Sequence, residues 1–234
     1  MKPGIVTAAL AIGLASLPAA ACAQDVNEFQ EVEVVGLRDP FRLTANEVAA
    51  GLAVLRRERP SLAPQGTAYL EIGDATSATD SKRLRLKLVP ADGGEPITVS
   101  SDAEGRFALP DVPAGYTLFT NRRNASARPM IAVYSPGTSP RDRRVGDLRL
   151  ECDVWWAMIR GRVNFAVRAM LGNPCTSKRF AKYNDADGAI AQAVVVWSTA
   201  ARPVELSRNR RRYRSPVFDR SLPADARVQI TLVP

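Results

Sequence analysis

The stretch Ser100–Phe119, SSDAEGRFALPDVPAGYTLF, decides how the rest of the chain is read. Its acids, Asp102, Glu104 and Asp111, can be taken as a reactive or ligand-binding loop. They can equally be taken as the punctuation of a β-fold. In Asp102-Ala103-Glu104-Gly105 an Asp stands at the first turn position and a Gly at the fourth, as a type I turn requires. Arg106–Leu109 then reads as a strand. Pro113-Ala114-Gly115 turns the chain again, into a strand over Tyr116–Asn121. The acids fall at turns, with short apolar runs between them, so the stretch reads as scaffold.

Upstream, Lys82–Val89 sets Leu84, Leu86 and Leu88 on one face and Arg83, Arg85 and Lys87 on the other, the alternation of a half-buried antiparallel strand. Pro90-Ala91-Asp92-Gly93-Gly94 ends it, and Pro96–Ser100 is a second run. Downstream, Met130–Tyr134 and Val145–Cys152 read as strands on either side of Pro136-Gly137-Thr138-Ser139-Pro140. Strands separated by turns every roughly 8 to 12 residues predict an antiparallel sandwich or barrel. Before them, Thr44-Ala45-Asn46-Glu47 is a capping box. It opens a helix over Ala45–Arg59, with Val48, Leu52 and Leu55 on the apolar stripe that packs on the sandwich and Pro60 as its stop.

The run Thr98–Leu118, with Asp102, Gly105, Phe107, Leu109, Pro113, Gly115 and Tyr116 in place, resembles the core motif of carboxypeptidase regulatory-like domains, the transthyretin-like or prealbumin-like sandwiches also grouped with carbohydrate-binding-like folds. The resemblance covers residues 66–151 and implies an Ig-like antiparallel β-sandwich. For function it implies only an appended structural or binding module, because fold analogy assigns no activity. Such modules usually accompany a larger catalytic or barrel domain, which this sequence lacks. VEVVGLRD, residues 32–39, resembles the segment preceding the plug of TonB-dependent receptors, but 234 residues cannot hold such a barrel.

Beyond Cys152, WWAMIRGRVNFAVRAMLGNP can be threaded on one helix, with Trp156, Ile159, Val163, Val167, Met170 and Leu171 on one side and Gly172 and Pro174 ending it. Strands follow at Lys178–Tyr183, Ala189–Ser198, Arg202–Ser207, Tyr213–Phe218 and Arg227–Val233. Ala193–Trp197 is the most apolar of these. Residues 152–234 then form a small α+β region, either a second unit or an extension of the sandwich, after a 24–65 segment that carries the first helix.

The N-terminus, MKPGIVTAALAIGLASLPAAACAQ, has one Lys, an apolar run and small residues around Ala21-Cys22-Ala23, the pattern of a signal peptide cleaved near Ala23. A lipoprotein signal through Cys22 is the weaker reading, because Ala stands where that pattern prefers Leu. The run is too short for a transmembrane span. The expectation is a periplasmic or secreted protein, in which Cys152 and Cys175 meet an oxidising space and pair.

Charge is divided. Residues 24–117 carry 10 Lys or Arg against 15 Asp or Glu, whereas residues 118–234 carry 21 against 9, net +12. Nucleic acid is the ordinary partner of such a patch, but export removes it. An anionic envelope component, a glycan or an envelope protein takes its place. The densest cluster, Arg208, Arg210, Arg211, Arg212 and Arg214, is either a solvated hairpin tip that guards a sheet edge or an anion-binding site. Trp155 and Trp156 can stack on a sugar ring or simply anchor the helix.

The sequence has no His, which removes Ser-His-Asp and Cys-His machinery and the commonest zinc ligand. Asp102, Glu104, Asp111, Glu151 and Asp153 are the acids open to glycosidase-type chemistry, and they fall in turns or at strand ends. Asn184-Asp185-Ala186-Asp187-Gly188 lacks the later ligands of a calcium loop and reads as an Asp-Gly hairpin turn. The expectation is therefore a non-enzymatic binding or structural protein without cofactor. Alternatives are glycan binding, or service beside a peptidase or outer-membrane transporter.

Overall fold

The structure, a computed structural model, describes residues 39–74, 84–125, 127–180 and 182–234. The expected signal peptide, Cys22, nearly all of the VEVVGLRD segment and the start of the Lys82–Val89 strand lie outside these. Among the described residues the protein is mainly β, with thirteen strands in antiparallel sheets and three α-helices.

Two sheets face each other across the first core. One runs β1 (Pro40–Thr44), β6 (Tyr116–Arg123), β3 (Leu86–Pro90), β4 (Ile97–Val99), and the other β5 (Phe107–Ala108), β2 (Thr67–Asp74), β7 (Ala127–Tyr134). Leu43, Leu86 and Leu118 from the first meet Leu70, Phe107, Ile131 and Val133 from the second. The alternation read in Leu86 and Leu88 is borne out, both being buried, although the strand begins only at Leu86. The strand β1, which lay unread in the sequence, pairs Leu43 with Leu118 and puts Phe41 and Leu43 into the same core.

Helix α1 (Ala45–Leu62) starts at the expected capping box: Glu47 N–H donates to Thr44 Oγ1 and Thr44 N–H to Glu47 Oε2. It does not stop at Pro60. A proline there removes one N–H from the last turn, and the helix runs two residues further. Val48 and Leu52 are buried in the first core, with Leu55 packed against it.

The largest correction concerns Val145–Cys152, which is helix and not strand. Helix α2 spans Val145–Ile159 and follows the short strand β8 (Asp142–Arg144). Its sequence alternates Leu148, Leu150 and Cys152 with Asp147, Arg149 and Glu151, a period of two, yet all six are buried. Two helical stripes are interleaved in it: Leu150, Val154 and Met158 enter the first core, while Val145, Leu148 and Cys152 enter a second one, with Trp156 packed against it. A helix buried on every side need show no amphipathic face. Gly146 is needed at its start, because a Cβ there would stand 2.0 Å from the Leu62 carbonyl oxygen.

The expected long helix over Trp155–Leu171 is likewise two. Helix α2 ends at Ile159, and Asn164 caps a separate α3 (Phe165–Leu171) by accepting from Ala166 N–H at 2.8 Å. Asn favours such a cap over a helix interior.

The second core lies under a sheet of its own, ordered β11 (Ala200–Pro203), β10 (Ile190–Trp197), β13 (Arg227–Leu232), β8. Within the apolar run Ala193 and Val195 are buried. A two-stranded ladder joins β9 (Tyr183–Asp185) to β12 (Arg212–Arg214). Lys178–Arg179 is a turn, Pro216–Phe218 is one turn of 3₁₀-helix, and Asp187-Gly188 bends between strands of different sheets rather than closing a hairpin. Cys152 and Cys175, both buried, form the expected disulfide. No helix of the described residues is long and apolar enough to cross a membrane.

Candidate functional site

The acids of the opening stretch are occupied locally. Asp102 accepts from Glu104 N–H at 3.1 Å, Arg106 N–H at 2.8 Å and Arg106 Nε at 2.9 Å. Desolvation pushes its carboxyl up, but these bonds and the Arg106 charge together outweigh it and hold the group below the ordinary range. Gly105 takes the left-handed conformation the turn requires, φ +77°. Glu104 pairs with the same Arg106, and Asp111 faces Arg56 across an exposed 3.9 Å. Arg106 in turn lies over the Tyr69 ring at 4.4 Å.

A buried charged network lies where β7 meets α2. The open edge of β7 has no neighbouring strand among the described residues, and side chains take that strand's place. Val133 N–H donates to Glu151 Oε1 at 2.8 Å, the Val133 carbonyl accepts from Arg143 Nη2 at 2.9 Å, and Ser135 gives its N–H and hydroxyl to Asp147 at 3.1 and 2.7 Å. Arg143 and Glu151 form an ion pair with each other, with side chains only 7% and 3% exposed. Lys182 adds a second cation 3.5 Å from Glu151, and Arg143 lies over the Tyr134 ring at 4.4 Å. Burial works against the Arg143 charge, but Glu151, Tyr134 and Tyr213 together more than offset it and hold the guanidinium above its ordinary range.

Burial pushes the pKa of Glu71 up, and the Glu151 charge pushes it further. Burial also raises Tyr134, Tyr213 and Asp147. Perturbed groups of this kind often mark functional sites, but structural networks perturb pKa as well. Here the partners are backbone groups and neighbouring charges, so the cluster joins the two halves of the molecule. Of its members only Glu151 stood among the acids singled out in the sequence. The others come from segments far apart in the chain, and no local spacing signals their meeting.

A concave feature lies elsewhere, in a groove of about 440 Å³ lined by Lys178, Val195, Arg202, Pro203, Val204, Glu205, Arg214, Pro216, Phe218 and Asp219. Val195, Pro216 and Phe218 supply apolar lining and two fixed arginines add charge. Arg214 Nη1 pairs with Glu205 at 2.9 Å, Nη2 donates to the Lys178 carbonyl, and the guanidinium lies over Phe218 at 5.0 Å. Arg202 Nη2 reaches Asp219 at 2.6 Å. Asp219 is held down at about 2, first by the Ser221 hydroxyl and then by Arg202, and Arg214 with Tyr183 holds Glu205 below its ordinary range. Lys178 has no ion-pair partner among the described residues. The lining therefore carries three cations and two acids, and both acids are already bonded.

The structure divides the arginine cluster. Arg214 lines the groove. Arg210, at φ +54°, turns its guanidinium back onto the carbonyls of Ile190 (2.8 Å from Nε) and Ala191. Arg212 lies over the Tyr183 ring at 5.8 Å, with Asp185 4.0 Å away. The Arg208 and Arg211 side chains are exposed on the connecting turn, without a partner among the described residues. Trp155 gives its ring N–H to the Pro129 carbonyl at 3.0 Å and packs on the first core, while Trp156 packs on the second. Both are half-buried. The chain matches no protein-family model, no curated protein and no solved structure.

Proposed function

We propose that the chain is an exported, non-enzymatic binding protein of the cell envelope, a carboxypeptidase regulatory-like sandwich bearing a disulfide-closed basic region that takes up an anionic envelope component in the groove. The observation that carries this reading is the groove lining. Arg202 and Arg214 are held in place by Asp219 and Glu205, and Lys178 adds a cation that no acid offsets. A guanidinium offers five donors and no acceptor, and each of these spends only part of that set on its carboxylate. A phosphate or carboxylate seated beside them finds oriented donors at little ordering cost, and the apolar lining receives the attached carbon.

The test is binding of fluorescently labelled lipopolysaccharide by polarisation, at low and raised salt. Wild type should bind in a salt-sensitive way, and the double variant Lys178→Ala, Arg202→Ala should bind about tenfold more weakly or worse, the usual scale for losing charged hydrogen bonds. Equal affinity of the two proteins sinks the reading. Equal binding of a neutral glycan would move the ligand class from anion to sugar.

A further inference from the structure

Helix α3 is a different kind of surface. Its seven residues, FAVRAML, expose Phe165 by 74%, Met170 by 79% and Val167 by 41%. None of these three belongs to either hydrophobic core or to the apolar residues packed against them. A seven-residue helix is too short to be stable in water by itself, and large apolar side chains exposed together mark an interaction surface. The charge around it is one-sided. Residues 154–184 contain Arg160, Arg162, Arg168, Lys178, Arg179 and Lys182 and no Asp or Glu. Arg162 is spent on Glu47 and Lys182 on Glu151. Arg160, Lys178 and Arg179 are exposed without an ion-pair partner among the described residues, and Arg168 lies over the Phe165 ring at 5.8 Å.

We infer that α3 is a lipid-surface anchor. Phe165, Val167 and Met170 enter the headgroup and acyl boundary of an anionic leaflet, while Arg160, Arg168 and Arg179 lie among its phosphates. Apolar side chains flanked in sequence by cations, with Glu47 and Glu151 already paired to Arg162 and Lys182, complement such a surface on both counts. A protein partner could cover the apolar residues, but a stretch with six cations and no acid of its own favours a dense field of negative charge over a mixed protein face. The anchor is separate from the groove and stands whether or not the groove binds a ligand.

The experiment is co-sedimentation of the protein with phosphatidylcholine vesicles containing phosphatidylglycerol, and with phosphatidylcholine alone. Wild type should bind the anionic vesicles and leave the neutral ones. Phe165→Ser with Met170→Ser should weaken that binding by about tenfold or more, the scale of two lost apolar insertions, with an unchanged melting curve because both residues are surface-exposed. Arg160→Ser with Arg179→Ser should weaken it and reduce its salt dependence. Unchanged binding of the Phe165/Met170 variant overturns the inference. So does a wild-type dimer in sedimentation equilibrium that this variant dissolves, which would assign α3 to a second copy of the chain. The groove variant Arg202→Ala alone, which leaves every cation of the 154–184 stretch in place, should bind the anionic vesicles as wild type does. A groove failure is thereby distinguished from an anchor failure.

Discussion

The two hydrophobic cores are held together by different means. The first sits between two sheets whose longer strands, the eight-residue β2, β6 and β7, carry their own ladders of backbone hydrogen bonds. The second has one substantial sheet, edged by the three-residue β8, beside a ladder of the three-residue β9 and β12, and a short strand leaves loop carbonyls without partners. Arginines take many of these up. Arg149 donates to the carbonyls of Asp219 and Leu222, Arg210 to Ile190 and Ala191, Arg214 to Lys178, and Arg227 to Gly137. A guanidinium is the side chain with most donors to give, and the Leu222 carbonyl that Arg149 reaches is buried and must be satisfied. Much of the positive charge of the C-terminal half is therefore architecture. Cations without an ion-pair partner among the described residues, such as Lys178, Arg208 and Arg211, keep all their donors for a ligand.

If the Arg143–Glu151 pair is what joins the two cores, breaking it should produce the largest effect. Glu151→Ala leaves Arg143 buried without its carboxylate and removes the acceptor of Val133 N–H. The expected loss is about 3–5 kcal/mol in urea unfolding, as for other buried pairs broken on one side. Arg143→Met with Glu151→Leu should cost less than Glu151→Ala alone, because no charge is left uncompensated. A double variant that is the less stable of the two would show the pair to be net stabilising.

The disulfide sharpens the contrast, because it ties α2 to the segment leading into β9 and lies wholly within the second core. Cys152→Ala with Cys175→Ala should cost about 3 kcal/mol in the chain-entropy model. Trp155 packs on the first core and Trp156 on the second, so each can report its own side in variants with the other tryptophans replaced by Phe. The Trp156 signal should shift to lower urea more than the Trp155 signal. Equal shifts would mean that the two cores unfold as one unit.

The same contrast explains what the sequence made legible. Alternating leucines, the Thr44–Glu47 capping box and the Asp102–Gly105 turn are local signals, and each describes the first core correctly. Helix α2 misled because its charged residues are buried. Asp147, Arg149 and Glu151 interrupt the apolar residues at every second position, which imitates a strand, and only the stripes Leu150, Val154, Met158 and Val145, Leu148, Cys152 carry the helical period. Cys152 and Cys175 were readable as a pair because the sequence has only one other cysteine, Cys22. The groove was not readable. Its lining comes from Lys178, the 195–205 hairpin and residues 214–219, and a tertiary approach of that kind leaves no spacing in the chain.

The smallest expected effect is the response to acid, and it has opposite signs at the joint and at the groove. Glu71 and Asp147 have folded pKa values raised chiefly by burial. The native state therefore binds their protons more tightly than the unfolded chain does, and their contribution to stability declines as pH rises through and above the ordinary carboxylate range near about 4. Asp219 is lowered to about 2. Its contribution is complete above about pH 4 and is lost as pH falls through about 2. Screening of this partly exposed group by solvent reduces the gain to about 1 kcal/mol. Glu71→Gln should flatten the decline of stability above about pH 4, whereas Asp219→Asn should remove part of the acid loss below it. Urea midpoints measured across that range for the two variants check both signs. If the Asp219→Asn profile coincides with that of wild type, the Arg202–Asp219 pair is no fixed part of the groove, and Arg202 loses the support that makes it an oriented donor.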